Sequence, residues 1–400
     1  MKTTRRELAA TLGAAALAPA AAPLVRGIEQ TTFWDNLDGK GTTWFHPRIC
    51  RVPGPSPSLL MTLQSISGSD YFGPVHWSES RDLGRRWSEP RPIPELGRHT
   101  NPDGMVEGYC DAVPEYHAAT ATVLAMAHNV YYAGGKLARP DTARWPVYFL
   151  RRRDGAWGPL RRLEWDNPEA SAIYTSGCSQ RVTLPSGDIL VPLSLGPLGR
   201  VDRGVCSVRC TFDGKTLAIR EQGNVLRFSQ GRGLLEPSLT ALDGTFYMTI
   251  RAENGQGFVA RSQDGLEWAP MLPWCWDGGE PVNMSTTQQR WMPHSDALYL
   301  VYTRKDASNV NVMRWRAPLF MAEVDRRTLR LVRSTERVVI PMNADGVHQA
   351  KAVEHQGNFH TTPISAEESL VSTGTVVPAS FTGAVRIARV RWARPNRVLG

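Results

Sequence analysis

One turn is written five times into this chain, and it constrains the fold more than any other feature. Ser80-Arg81-Asp82-Leu83-Gly84-Arg85-Arg86-Trp87 reappears as Ser262-Gln263-Asp264-Gly265-Leu266-Glu267-Trp268, and in shorter form as Arg153-Asp154-Gly155-Ala156-Trp157. Thr211-Phe212-Asp213-Gly214-Lys215 and Glu323-Val324-Asp325-Arg326-Arg327 are more degraded copies. In such a unit the Asp carboxylate accepts backbone N–H groups across a tight hairpin, Gly supplies a positive φ, and Trp packs beneath the turn. Its aspartates therefore stabilise the fold and are not candidates for catalysis.

The five aspartates are spaced 72, 59, 51 and 61 residues apart, the length of a four-stranded unit with decorated loops. Short β-prone runs bounded by Gly, Pro, Asp or Asn recur between them, at residues 58–63, 122–127, 188–193, 245–250, 297–302 and 384–390. No long stretch after residue 26 keeps helical apolar spacing, and 29 Pro and 35 Gly oppose long helices. The pattern predicts an all-β chain, with one domain over residues 27–400 built as a six-bladed β-propeller of four-stranded antiparallel blades. Radial closure hides the sheet edges and collects one loop per blade around a central funnel, where a ligand site belongs.

Ahead of the repeats, Thr4-Arg5-Arg6-Glu7-Leu8 leads into an Ala-rich run over residues 9–22. A basic start, a short apolar stretch and small residues at Ala18 and Ala20 predict a secretory signal over residues 1–22. The run is too short for a membrane anchor. Its paired arginines fit the twin-arginine subclass, so a periplasmic or secreted protein is expected. No later run reaches 18 apolar residues, so no stable membrane insertion is expected.

Removing the first 20 residues lowers the formal charge from +8 to about +6. With Lys and Arg scattered, the surplus suits an anionic ligand and gives no reason to expect nucleic acid. Six cysteines without a C-x-x-C pair, and nine dispersed histidines without H-E-x-x-H, point to no metal or cofactor. Buried inert thiols are expected, with one or two disulfides the alternative in an oxidising compartment.

The Ser-x-Asp-x-Gly-x-x-Trp turn resembles the Asp box of the sialidase superfamily, and the order of other polar residues extends the resemblance over most of the chain. Phe45-His46-Pro47-Arg48-Ile49, then Pro53, is similar to the Phe-Arg-Ile-Pro signature with two residues inserted. The resemblance makes Arg48 the first of three arginines that clamp a substrate carboxylate, and Asp70 in Gly68-Ser69-Asp70 the general acid/base. Leu235-Glu236-Pro237-Ser238, followed by Met248-Thr249-Ile250-Arg251, is the most specific match; it implies a catalytic Glu236 and a second clamp arginine, Arg251. The third comes from Arg314-Trp315-Arg316. Arg316 is favoured and Arg314 is its alternate, both on one strand face by the period-two rule; Arg290 and Arg304 lie in the same blade. Glu107, Asp111, His128 and Gln180, clustered at blade starts, are further candidates for contacts to sugar hydroxyls.

One element of the resemblance is missing. Sialidases carry a late tyrosine nucleophile, and no tyrosine follows Tyr302; Asn358, Phe359 or His360 stands at the corresponding place. Three readings stay open: Tyr109 or Tyr174 reaches in, Glu236 acts directly on water, or the protein only binds. The expected partner is a glycan with an acidic terminal sugar, and the expected activity an exo-acting glycoside hydrolase. A carbohydrate-binding propeller and a uronate lyase with His128 as base are the alternatives.

Overall fold

The computed structural model describes residues 23–399, apart from 40, 139–142, 177 and 197–201. The expected signal segment lies outside the described residues. Six antiparallel sheets follow one another around a ring, and the only helices among the described residues are short 3-10 turns. Each sheet is a blade, and in all but the sixth the main strands run outward in chain order. The inner strands are Thr43–Val52 in blade 1, Val106–His117 in blade 2, Leu235–Leu242 in blade 4, Arg290–His294 in blade 5 and His360–Pro363 in blade 6. Blade 3 splits its inner strand into Ile173–Thr175 and Val182–Thr183, both paired with Ile189–Gly196.

Five of the six apolar runs found in the sequence fall in the second strands of blades 1 to 5; the sixth falls in the third strand of blade 6, Gly383–Trp392. All five repeated turns join the third strand of a blade to its fourth. Asp82 accepts from the N–H groups of Arg85 and Arg86, and Asp264 from those of Leu266 and Glu267, at 2.8–3.1 Å. Asp213 and Asp325 each accept two N–H groups in the same way, and Asp154 accepts one, from Ala156. Blade 6 lacks the turn for a topological reason. Its fourth strand is the N-terminal segment Val25–Asn36, which pairs with Gly383–Trp392 from the other end of the chain, Ile28 opposite Val390. No hairpin exists there to be stabilised.

The core sits between the blades. Six apolar clusters fill the six interfaces, such as Leu193 and Cys206 against Met126 and Tyr148, or Leu239 and Met248 against Leu190 and Val205. Trp268 lies beneath its turn, 4% exposed, and donates to Ser207 Oγ of the preceding blade. The six thiols are free, and five of them are buried.

Candidate active site

At one end of the channel the inner strands, or the segments beside them, share a backbone device. His46, Asp111, Cys178, Glu236 and Asn358, from blades 1, 2, 3, 4 and 6, all have positive φ, between 44° and 65°. For residues with a Cβ this conformation is costly and concentrates at functional sites. In blades 1, 2 and 4 it coincides with a register shift, between Phe45 and Arg48, Cys110 and Val113, and Leu235 and Ser238. Such bulges break the strict alternation of side chains and re-aim successive residues.

Three of these residues, Asp111, Glu236 and Asn358, line a polar cavity of about 190 Å3. Glu236 receives a hydrogen bond from Arg251 Nη1 at 2.5 Å, while its buried Oε2 has no partner. Burial works against the Glu236 charge, yet Arg251 outweighs it and holds the carboxyl below its usual range. Arg251, 7% exposed, also lies 3.6 Å from Glu253, which is itself bonded to Arg232. Arg314 and Arg316 enter from blade 5. Burial, together with Arg314 and Arg251 nearby, pulls Arg316 down to about 9, and its Nε has no hydrogen-bond partner. Asp70, exposed at the tip of the hairpin between Ser58–Gly68 and Tyr71–Ser80, forms the rim in blade 1.

The other candidates are placed differently. Arg48 is fully buried behind the wall: its guanidinium bonds Asp111 Oδ1 at 3.0 Å and the carbonyls of Asn358 and Phe359. The bulge at His46-Pro47 turns it there, so it braces Asp111 and is not among the cavity-lining residues. Asp111 does reach the cavity. Burial opposes its charge, but His46, Arg48 and His128 outweigh that and hold it well below the carboxylate range. His128 also lines the cavity; burial pushes it down to about 4, and its Nε2 lies 3.2 Å from Cys110 Sγ. Gln180 is spent on the scaffold, bonded to Ser238, Trp291 and Thr361. Glu107 is half-buried on the strand flank opposite Tyr131, away from the cavity, where burial raises it. Arg290 is buried against Ser238 and Phe359, and Arg304 pairs with Glu336.

The expected strand at Arg314 and Arg316 is a 3-10 turn, Met313–Trp315, with positive φ at Arg314 and Trp315; the strand begins only at Leu319. The two side chains reach the cavity through this turn and not through strand alternation. Tyr109 and Tyr174 do not reach it. Tyr174 Oη donates to Leu163 O, and Tyr109 packs against His99. Among the described residues no tyrosine lines the cavity; Asn358 stands at the wall, 2.6 Å from His46 Nε2. Sequence reasoning missed three lining arginines: Arg144, Arg203 and Arg232. Arg232 carried the best signal, four residues before Glu236 between two glycines. Arg144 and Arg203 follow loops without a motif.

Cys110, Asp111 and His128 bring one ligand atom each within 4.8 Å of one another, close enough for a soft divalent cation. Against that, Asp111 already binds Arg48, and among the described residues six guanidinium groups, one of them paired with Glu253, line the cavity against three carboxylates. That field favours an anion.

No family model and no curated protein matches this chain. Solved structures do. A protein of unknown function from Dyadobacter fermentans superposes with a TM-score of 0.62 at 14% identity, covering 92% of this chain and 100% of that one. Trypanosoma rangeli sialidase in complex with sialic acid gives 0.62 at 13% identity, covering 92% of this chain and 60% of that one. A mutant α-L-arabinofuranosidase from Fusarium graminearum, bound to an iminosugar inhibitor, gives 0.57 at 11% identity, covering 90% and 98%. The chain thus spans about three fifths of the length of that sialidase. At these identities the likeness establishes the six-bladed fold.

Proposed function

We propose that this chain is an exo-acting glycoside hydrolase that releases a terminal carboxylated sugar from a glycan outside the cytoplasm. The carrying observation is Glu236, held ionised by Arg251 yet keeping one carboxylate oxygen unpartnered, in a cavity that also presents Arg314 and Arg316. The glycan-acting names among the structural neighbours support the same reading.

In this reading Arg251, Arg314 and Arg316 bind the sugar carboxylate; guanidinium suits the task because its planar fork bonds both oxygens and stays charged. Asp70 at the rim gives its proton to the glycosidic oxygen. Glu236 takes a proton from a water whose oxygen bonds the anomeric carbon as the glycosidic bond breaks. The products are the free sugar and the alcohol, and the anomeric configuration inverts. That no tyrosine lines the cavity among the described residues favours this single displacement over a tyrosyl intermediate. Inverting enzymes space their two carboxyl groups roughly 6.5 to 9.5 Å apart to admit the water.

The test is a panel of aryl sialosides and aryl uronides. Release of aryl alcohol that disappears in Glu236→Gln, with the inverted anomer seen first by NMR, supports the proposal. An ultraviolet-absorbing unsaturated product would identify a lyase, and binding without turnover a lectin-like role; either result overturns it.

A further inference from the structure

Two carboxylates flank the guanidinium of Arg251. Its Nη1 bonds Glu236, and its Nη2 lies 3.6 Å from Glu253 Oε1, too long for a hydrogen bond. Glu253 sits two residues past Arg251, in the turn between Thr245–Arg251 and Gly257–Ser262, and its firm partner is Arg232. Arg232 Nε donates to Glu253 Oε2 at 2.9 Å and its Nη2 donates to Oε1, a two-bond fork. The backbone of Arg232 is pinned: its carbonyl accepts from Arg203 N at 3.1 Å, and the flanking Gly231 and Gly233 hold positive φ of 60° and 79°. Only the side chain is left to turn. It lines the cavity, 38% exposed, and beyond Glu253 the carboxylates whose charge it feels are Glu236 and Asp70. Of these, Glu236 keeps a buried Oε2 with no hydrogen-bond partner.

We propose that Glu253 is a positioning residue: by holding Arg232 in its fork it keeps that guanidinium off Glu236 and leaves Glu236 Oε2 open to water. This rests on the reading of Glu236 as the base of the hydrolase. Without Glu253, Arg232 turns to the carboxylate whose field it already feels and whose oxygen has no bond to lose. A guanidinium seated there covers the atom that must take a proton, and by favouring the ionised form it also makes that atom a weaker base. The other groups facing Glu236 are Arg251, Arg314, Arg316, Asp111, His128 and Cys178. Of these, Arg251 and Arg314 also feel Glu253, so removing Arg232 in the same molecule separates its contribution from theirs.

The experiment is the pH profile of hydrolysis by the full-length mature protein, by Glu253→Gln and by the double variant Glu253→Gln/Arg232→Gln, on the aryl glycoside the unaltered protein cleaves fastest. In Glu253→Gln kcat is expected to fall about 10- to 100-fold, with KM changed less than about 3-fold and the acid limb moved down by about one pH unit. The double variant recovers both kcat and the limb, because the blocking group is gone. A double variant as slow as the single one would show that Glu253 only supports its turn, and overturns the proposal. So does an acid limb that stays in place, or a shift confined to the basic limb, which would put Arg232 on Asp70. The same comparison is readable without turnover, by carboxyl NMR of protein carrying isotope-labelled glutamate, with the Glu236 signal assigned through Glu236→Gln. A midpoint lowered in Glu253→Gln and restored in the double variant, with no glycoside cleaved, sinks the hydrolase reading and leaves the placement of Arg232 standing; an unmoved midpoint beside normal turnover does the reverse.

Discussion

Replacing Arg251 by Met leaves the Glu236 carboxylate in the wall without its cation, and the cost has a pH signature. In the native protein Glu236 titrates below its ordinary range, with Arg251 outweighing burial. The pair therefore contributes stability that is fully present above the ordinary glutamate value, about 4.3, and is lost as pH falls through the lower folded value. In Arg251→Met burial and the Asp111 charge act against Arg314 alone, so the carboxyl rises and the sign reverses: stability is present at low pH and lost as pH climbs. Breaking a buried pair from one side costs about 3 to 5 kcal/mol. Because Glu236 keeps some exposure, 26% of its side chain, about 3 kcal/mol is expected at pH 7. At about 2.1 cal/mol/K per residue the ring has an unfolding entropy of ~0.8 kcal/mol/K, so Tm falls by ~4 °C. Near pH 4 the carboxyl of the variant is protonated and the gap narrows, approaching the lost packing of the arginine stem, about 1 kcal/mol, only below the folded value of the native Glu236. Differential scanning calorimetry of both proteins between pH 4 and pH 8 reads the gap directly. A gap of equal size at both ends would show that the two residues are not electrostatically coupled, and the assignment of Glu236 as an ionised base would lose its support.

Other outcomes follow from the turns and the thiols. Gly265 has φ +78, and an added Cβ would lie 2.3 Å from Leu190 Cδ1, whereas Gly244, φ +74, faces open space. Gly265→Ala should cost about 3 to 4 kcal/mol and Gly244→Ala about 1 to 2 in urea melts; equal losses would mean the blade interface yields freely at Leu190. Asp264→Ala removes the acceptor for two backbone N–H groups and a partner of Ser262 Oγ, while Asp154→Ala removes the acceptor of Ala156 N alone. The first should lose about 1 to 2 kcal/mol and the second under about 1, a ranking that chemical denaturation checks. Cys275, the only thiol not buried, should react with a thiol reagent in the native state and the other five only after denaturation; fast labelling of Cys110 or Cys178 would contradict the closed wall.

The fold was legible because its signal is local. Each repeated turn states its geometry in a few residues, and its spacing counts blades. The sixth blade had to be counted from the length of chain and not from a turn, because its outer strand comes from the N-terminal segment and no turn was there to read. The site was legible where a functional residue sits beside a strand with a strong pattern, as Glu236 and Arg251 do on paired strands. It was obscure where the backbone leaves strand geometry. The bulge at His46-Pro47 sends Arg48 behind the wall, and the left-handed turn at Arg314 replaces the expected strand face. Gln180 looked like a ligand contact because a polar side chain that ties four blades together has the same sequence appearance as one that binds sugar. Arg144 and Arg203 depend on long-range placement that local spacing does not encode.

The positive-φ residues repeated around the channel end also bear on how such a cavity can change. Each belongs to one blade, and the sheet behind it keeps its own ladder, so the wall can be rewritten one blade at a time. His46 spends its kink on bracing, Asp111 and Glu236 spend theirs on charge, and Asn358 on a neutral wall. A substitution at Glu236 stays within its own blade, where Arg251 is its partner, whereas one at His46, Asp111 or Asn358 also breaks a bond to the next blade. For an engineer, position 358 is then the natural place to install or withhold a nucleophile, on a backbone already bent to present it.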